Sequence, residues 1–391
     1  MDDRAALQGS MAESLLRSLR RRGIEHVFAN AGTDFAPLIE ALTRLTRADE
    51  SLPRFITVPH ENLAVAMAHG YYRLCGRPAA VMVHVTVGTA NTICNLMNAY
   101  RDNVPLLLLA GRTPITQAGH IASRSLPIHW GQENFDQAGM VREYTKWDFE
   151  LRAGQSADEV LGRALEVAMA EPRGPIYLTL PREVLASPAG PRAPAPQPGI
   201  HAAAQPSRAH IDELAAWVRE AEWPMVVTSH LGRDLRAVED LAALADAYAI
   251  PVAQPNASCV NLPASHPMNT GQRGAELLEK ADLIIVVDSE VPWFPARFEP
   301  RPGAKVAHLG PDPLWVRYPI RVFPSDLVVP GASGPALRAL AEALDGARQP
   351  DGREQRRRAV KAYRERVAAA AERALESWGA GPAPPGHTHA G

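Results

Sequence analysis

The feature that most constrains this chain is the alternation of short apolar runs with stretches of helical periodicity through its first half. Val27–Ala29 reads as a strand that enters the turn Asn30-Ala31-Gly32-Thr33-Asp34, with a helix from near Phe35. Phe55–Val58 reads as a second strand, followed by a helix over Glu61–Tyr72, and Ala79–His84 as a third, followed by a helix from about Thr89 to Tyr100. Leu106–Ala110 is a strand ending at Gly111. After a polar loop, a helix over Ala157–Glu171 leads into the strand Ile176–Leu180. Runs that are apolar at every position suit strands covered on both faces, and strand–helix–strand repetition predicts an open parallel sheet.

The pattern then breaks. Ser187–Ser207 is rich in Pro and Ala and nearly free of large apolar residues, which reads as an extended, semi-rigid linker. A second α/β pattern follows, with strands expected at Met225–Thr228, Pro251–Ala253, Leu283–Val287 and Val306–Leu309, and helices that include Ala237–Tyr248 and Pro335–Leu344. The tail opens with a basic helix over Arg353–Arg366, continues as an Ala/Glu-rich helix and ends in a Pro/Gly-rich stretch expected to be disordered. The predicted fold class is α/β: two doubly wound parallel-sheet domains, 1–186 and 208–346, joined by a linker over 187–207, with a helical tail over 347–391.

Charge excludes some functions. With 41 basic and 43 acidic residues the formal net charge is −2, so no electrostatic case exists for nucleic acid or an anionic membrane. The longest apolar runs fall far short of the roughly 20 residues that span a bilayer. Three widely spaced cysteines, Cys75, Cys94 and Cys259, fit neither a disulfide framework nor a zinc site. The acidic, polar start lacks the pattern of a signal peptide. The expectation is a cytoplasmic protein acting on a small molecule.

Four stretches of the first domain carry a resemblance. GIEHVFANAGTDFAPL (Gly23–Leu38) has a strand and glycine turn. PHENLAVAMAHGYYRLCG (Pro59–Gly76) has His60-Glu61 followed by Gly70-Tyr71. GTANTICNLMNAYRDNVPLLLLAGR (Gly88–Arg112) has a glycine–asparagine turn, a helix and a buried strand, and GPIYLTLPREV (Gly174–Val184) closes the domain. In the second domain, AEWPMVVTSHLGR, His266–Gly271, Ala281–Trp293 and Ala304–Pro313 continue the series. Together these resemble the pyrimidine-binding and central domains of the thiamine-diphosphate enzymes that include acetolactate synthase, benzoylformate decarboxylase and 2-hydroxyacyl-CoA lyase. The resemblance runs over about residues 10–345.

The resemblance implies roles. The family's glutamate hydrogen-bonds N1′ of the cofactor's aminopyrimidine and so favours loss of the thiazolium C2 proton; here that residue is Glu61. The task asks for a carboxyl in apolar surroundings able to share a proton with a ring nitrogen, and a helix start rich in Ala, Val and Met suits it. The bland alternative is an early-turn acid complementing the helix N-terminus. His84 resembles the family's active-site histidine, whose titration near neutral pH suits proton transfer to carbon; a structural histidine is the alternative. The resemblance sets Gly32, Gly88 and Asn91 on the cofactor side. Thr33 is a candidate to hold a substrate carboxylate, and Gln132, with Glu133 beside it, lies in a loop near the active site. His60 has a supporting role. Arg112 stands where many relatives carry a glutamine, so that residue's role does not transfer.

One part of the family's site is missing from the sequence. Its magnesium–diphosphate signature is Gly-Asp-Gly followed by asparagine; this chain has no Gly-Asp-Gly, and Asn269 is its last asparagine. The expectation is therefore a heteromeric enzyme, with thiamine diphosphate shared with a separate subunit that binds the diphosphate through Mg2+, assembled as a dimer of heterodimers or larger. Two other readings stand beside it: a non-catalytic relative that binds or regulates such an enzyme, and a piece of a longer chain. The reaction class expected is cleavage, decarboxylation or carboligation of a 2-oxo acid or 2-hydroxyacyl compound. VPWFPARFEP matches no flavin-binding pattern, so FAD is not expected.

Overall fold

The computed structural model describes residues 9–189, 204–345 and 352–379. They form two compact units, Met1–His201 and Ala202–Gly391. Most of the expected linker (190–203) and the expected disordered end (380–391) lie outside the described residues.

The first unit runs α1 (Met11–Arg21), β1 (His26–Asn30), α2 (Ala36–Arg47), β2 (Arg54–Thr57), α3 (Glu61–Cys75), β3 (Ala80–Val83), α4 (Val85–Arg101), β4 (Leu107–Arg112), α5 (Ile128–Gly131), β5 (Asp148–Glu150), α6 (Ala157–Met169), β6 (Ile176–Pro181) and α7 (Arg182–Ala186). All strand pairs are parallel, in the order β2-β1-β3-β4-β6-β5. Successive side chains of a strand point to opposite faces, and the core divides accordingly. Ala80, Met82, Leu107 and Leu109 pack with α1, α2, α6 and α7, whereas Val81, Val83, Leu108 and Ala110 pack with α3 and α4. The strands are therefore apolar at every position because helices cover both sides. Connections diverge between β1 and β3, and in such sheets the crevice at the carboxyl ends of the strands beside that point is where ligands bind.

The second unit contains α8 (Arg208–Glu220), β7 (Pro224–Thr228), α9 (Leu235–Tyr248), β8 (Val252–Ala253), α10 (Ala275–Leu278), β9 (Leu283–Val287), β10 (Lys305–Gly310), β11 (Leu327–Pro330), α11 (Ser333–Leu344) and α12 (Arg353–Gly379). Its parallel sheet has the order β11-β10-β9-β7-β8. The basic and the Ala/Glu-rich tail segments form one helix, α12, and Val360 and Tyr363 join it to the core of this unit. Two strands were not expected from the sequence, β5 and β11. Both are short, partly exposed edge strands whose residues carry no buried run.

One core histidine gives the second unit a pH dependence. His308 on β10 is 1% exposed; its Nε2–H donates to Pro324 O at 2.9 Å, and its Nδ1 accepts from Arg321 at 3.4 Å. Burial, outweighing the bond to Pro324 O, lowers its pKa from 6.5 to about 4. The folded unit thus keeps this imidazole neutral while the unfolded chain takes up a proton. The associated stability is fully present above about pH 6.5 and is lost as pH falls toward 4, up to about 3 kcal/mol. Urea unfolding at pH 7 and pH 5 should show this loss, and His308→Gln should flatten the slope. An unchanged slope in that variant means that other groups set the dependence.

Candidate active site

The crevice between β1 and β3 collects most of the residues singled out from the sequence. The chain leaves β1 through Asn30, Ala31 and Gly32 and makes a 3-10 turn over Thr33–Phe35, so that Asp34 points inward and Thr33 outward. It leaves β3 directly into α4, with His84 as the N-cap residue. Val85, the first residue of that helix, has φ 29°. A buried β-branched residue rarely adopts such an angle, at a cost of about 1–3 kcal/mol.

His84 is the centre of a polar chain. Its Nδ1 lies 2.5 Å from Asp34 Oδ1, and its Nε2 lies 3.2 Å from Gln132 Nε2. Asp34 is 2% exposed, while the His84 side chain keeps 22% of its surface open. The hydrogen bond that His84 donates to Asp34 is the largest of the effects that raise the His84 pKa, against burial; the charge of Asp34, Gln132 and the charge of Glu61 raise it further. A raised imidazole pKa means that stability from this contact is present below the unfolded value and is lost as pH rises through the folded one. Gln132 is held by its own backbone: Thr86 Oγ1 donates to Gln132 O at 2.6 Å, and Gln137 anchors the same loop to Gly111 O at 2.9 Å and to the Tyr177 hydroxyl at 2.8 Å. His129, in the same loop, is buried and accepts from the Ser125 N–H; burial, then Arg182 and Arg124, lower its pKa.

Glu61 stands at the first position of α3, buried at 8% exposure. His60 caps that helix, its Nδ1 accepting from the Asn62 N–H at 3.1 Å, which fixes where the chain turns and so where Glu61 sits. Glu61 Oε2 accepts from Asn91 Nδ2 at 3.0 Å, across from α4. The other carboxylate oxygen has no partner among the described residues.

The remaining residues separate by role. Gly32 lies over the His84 ring, where a Cβ would come 2.1 Å from Nδ1. Gly88 lets α4 approach β3, since a Cβ there would sit 3.0 Å from the Val83 Cβ. Both glycines make room for packing next to the crevice. Thr33 is exposed at its mouth. Arg112 and Glu133 pair with each other at 3.1 Å, and Arg112 also reaches Glu150 while Glu133 takes Arg124 at 2.6 Å, so these two tie loop to sheet. Sequence reasoning missed Asp34. The only signal was an acid inside the glycine turn, whose partner lies fifty residues away.

Among the described residues no group of three or more His, Cys, Asp or Glu is placed to hold a metal ion. No helix among them is long and apolar enough to cross a membrane.

Two doubly wound α/β units, the first with polar residues gathered at the sheet's switch point, define the chain as an α/β protein. Comparison with known proteins gives the family. Residues 10–140 match the N-terminal TPP binding domain of thiamine pyrophosphate enzymes, and residues 211–344 match their central domain. The chain belongs to the thiamine pyrophosphate enzyme family. It is similar to benzoylformate decarboxylase of Pseudomonas aeruginosa, at 30% identity over 75% of this chain and 55% of that protein. It is also similar to the large subunit of acetolactate synthase isozyme 1 of Escherichia coli, at 25% identity over 77% of this chain and 52% of that protein. The crystal structure of benzoylformate decarboxylase from Polynucleobacter necessarius shares the fold, with a TM-score of 0.74 at 21% identity, covering 88% of this chain and 62% of that one. The chain spans about half the length of the curated relatives it matches.

Proposed function

We propose that this chain supplies the cofactor-activating half of a thiamine-diphosphate-dependent lyase or carboligase acting on a 2-oxo acid or a 2-hydroxyacyl compound. The observation that carries the reading is Glu61: a buried carboxylate at a helix start, anchored through one oxygen by Asn91, with the other oxygen unclaimed. A free carboxylate oxygen is the acceptor that a protonated ring nitrogen needs, so the residues present fit the pyrimidine end of the cofactor. When bound, thiamine diphosphate supplies a carbon acid that becomes a nucleophile toward a carbonyl. Glu61 holds and shares the proton at the ring nitrogen N1′, and Asn91 keeps its carboxylate in place. His84 moves a proton at the substrate carbon through Nε2, with Gln132 against that nitrogen. Thr33, which is exposed, is the candidate to hold a substrate carboxylate.

The Gly-Asp-Gly signature of the magnesium end does not occur in this sequence. We assign that end to a separate diphosphate-binding subunit, and the pair to a dimer of heterodimers or a larger assembly. Exposed apolar side chains on two helices support a partner. Leu63 and Leu74 on α3, with Val87 and Met97 on α4, stay in solvent at 46%, 89%, 50% and 39% exposure on the two helices that begin at Glu61 and Val85.

The test is co-expression with a neighbouring protein on the order of 180 residues that carries Gly-Asp-Gly and a later asparagine. The pair should co-purify, bind thiamine diphosphate with Mg2+ and decarboxylate a 2-oxo acid. A complex that binds no thiamine diphosphate sinks the catalytic reading and leaves the regulatory one. A diphosphate-binding domain found in the same reading frame sinks the separate subunit.

A further inference from the structure

Asp34 is the buried charge at the crevice that the proposed chemistry leaves without a task. Its burial is built in from three strand ends. It leaves β1 in the 3-10 turn; its Oδ1 meets His84 at the end of β3, and its Oδ2 accepts from the Val85 N–H at 3.4 Å. Gly111 at the end of β4 makes the space, because a Cβ there would lie 1.6 Å from Asp34 Oδ2. Gly32 does the same for the His84 ring. The unusual φ of Val85 accompanies the turn of its N–H toward the same carboxylate. A pair kept only for stability is a poor use of this much accommodation, since the desolvation of two charges offsets most of their attraction. The geometry has a directional result instead. A carboxylate on Nδ1 fixes which nitrogen carries the proton and leaves Nε2 as the exchanging atom.

We propose that Asp34 is the positioning residue of His84: it holds the Nδ1–H tautomer and stabilises the imidazolium, so that His84 acts as a proton donor through Nε2. The inference rests on the proton-transfer role proposed above. In the step, the proton on Nε2 passes to the substrate carbon, the electron pair of the N–H bond stays on Nε2, and Nδ1–H remains on Asp34. The charged groups facing His84 are Asp34 from the β1 turn and Glu61 from α3, with the titratable His129 on the loop helix. The raised pKa of His84 agrees with this arrangement.

The experiment is histidine NMR on the full chain without cofactor, labelled at Cε1 and both ring nitrogens, with the signal assigned by its loss in His84→Gln. His84 should titrate above the ordinary value with its neutral form protonated at Nδ1. Asp34→Asn should lower the midpoint by about 1–3 units. Gly111→Ala displaces Asp34 by steric contact alone, and should lower it in the same direction if the first variant does not fold. In the reconstituted enzyme, Asp34→Asn should move the alkaline limb of kcat to lower pH with KM changed much less. An unchanged midpoint in the folded variants, or a neutral form protonated at Nε2 in the wild type, overturns the proposal. A normal NMR result with an inactive complex instead counts against the proposed function and leaves the Asp34–His84 pair standing.

Discussion

Glu61→Gln is expected to lower turnover of the reconstituted enzyme by about 10²–10⁴-fold, the range for loss of a positioned proton-transfer group. The substitution is nearly isosteric, and the amide oxygen can still accept from Asn91, so α3 and its cap at His60 should stay in place. What is lost is a group that can share a proton with a ring nitrogen. The same factor should appear as slower exchange of the cofactor C2 proton with D2O, followed by NMR, because that exchange precedes any contact with substrate. Binding of thiamine diphosphate should change much less, since the proposed function assigns the diphosphate end to a separate subunit. Activity within about threefold of wild type would remove Glu61 from the reaction and leave it as a helix-start acid.

Arg356→Ala should destabilise the second unit by about 3–5 kcal/mol. Arg356 is 0% exposed, and its guanidinium donates to Ala249 O at 3.0 Å, Tyr248 O at 2.9 Å and Glu222 O at 2.7 Å. Two of those carbonyls close the C-terminal end of α9, where Ala249 adopts φ 51°, so the cation also meets the negative end of a helix. Truncation leaves the carbonyls buried without donors and opens a cavity beneath α12. Arg356→Lys should recover only part of the loss, because an ammonium cannot reproduce the fork. Urea unfolding measures the effect, and proteolysis should reach α12 first. A loss below about 1 kcal/mol would show that packing of Val360 and Tyr363 holds the helix without the arginine.

Arg356 also marks where sequence reading stops. It sits in the run Arg353–Arg366, which by composition is a solvated basic helix, and of its neighbours Arg357 is half-buried and Arg358 exposed. Nothing local distinguishes the one arginine that enters the core. Four side chains of α3 and α4 have the same character: Leu63, Leu74, Val87 and Met97 read as core residues by type, and only the packed unit shows that they are exposed.

The sequence by itself determined nine of the eleven strands and the helices read between them, the two α/β units, the family, and the placement of Glu61 at a helix start. Each of these is written in a window of a few to a dozen residues, as the apolar period or the motif. Tertiary structure alone decided that Asp34 meets His84, that Asn91 holds Glu61, that Arg112 and Glu133 engage each other, and that Gly32 and Gly111 clear space for a ring and a carboxylate. The Asp34–His84 contact joins the ends of β1 and β3, which the sheet order β2-β1-β3-β4-β6-β5 makes neighbours, and the Glu61–Asn91 contact joins α3 to α4. That order is set by how whole helices pack on both faces, which no short stretch of the chain encodes. Glu61 could be found by reading along the chain, whereas the partner of His84 could be found only across the sheet.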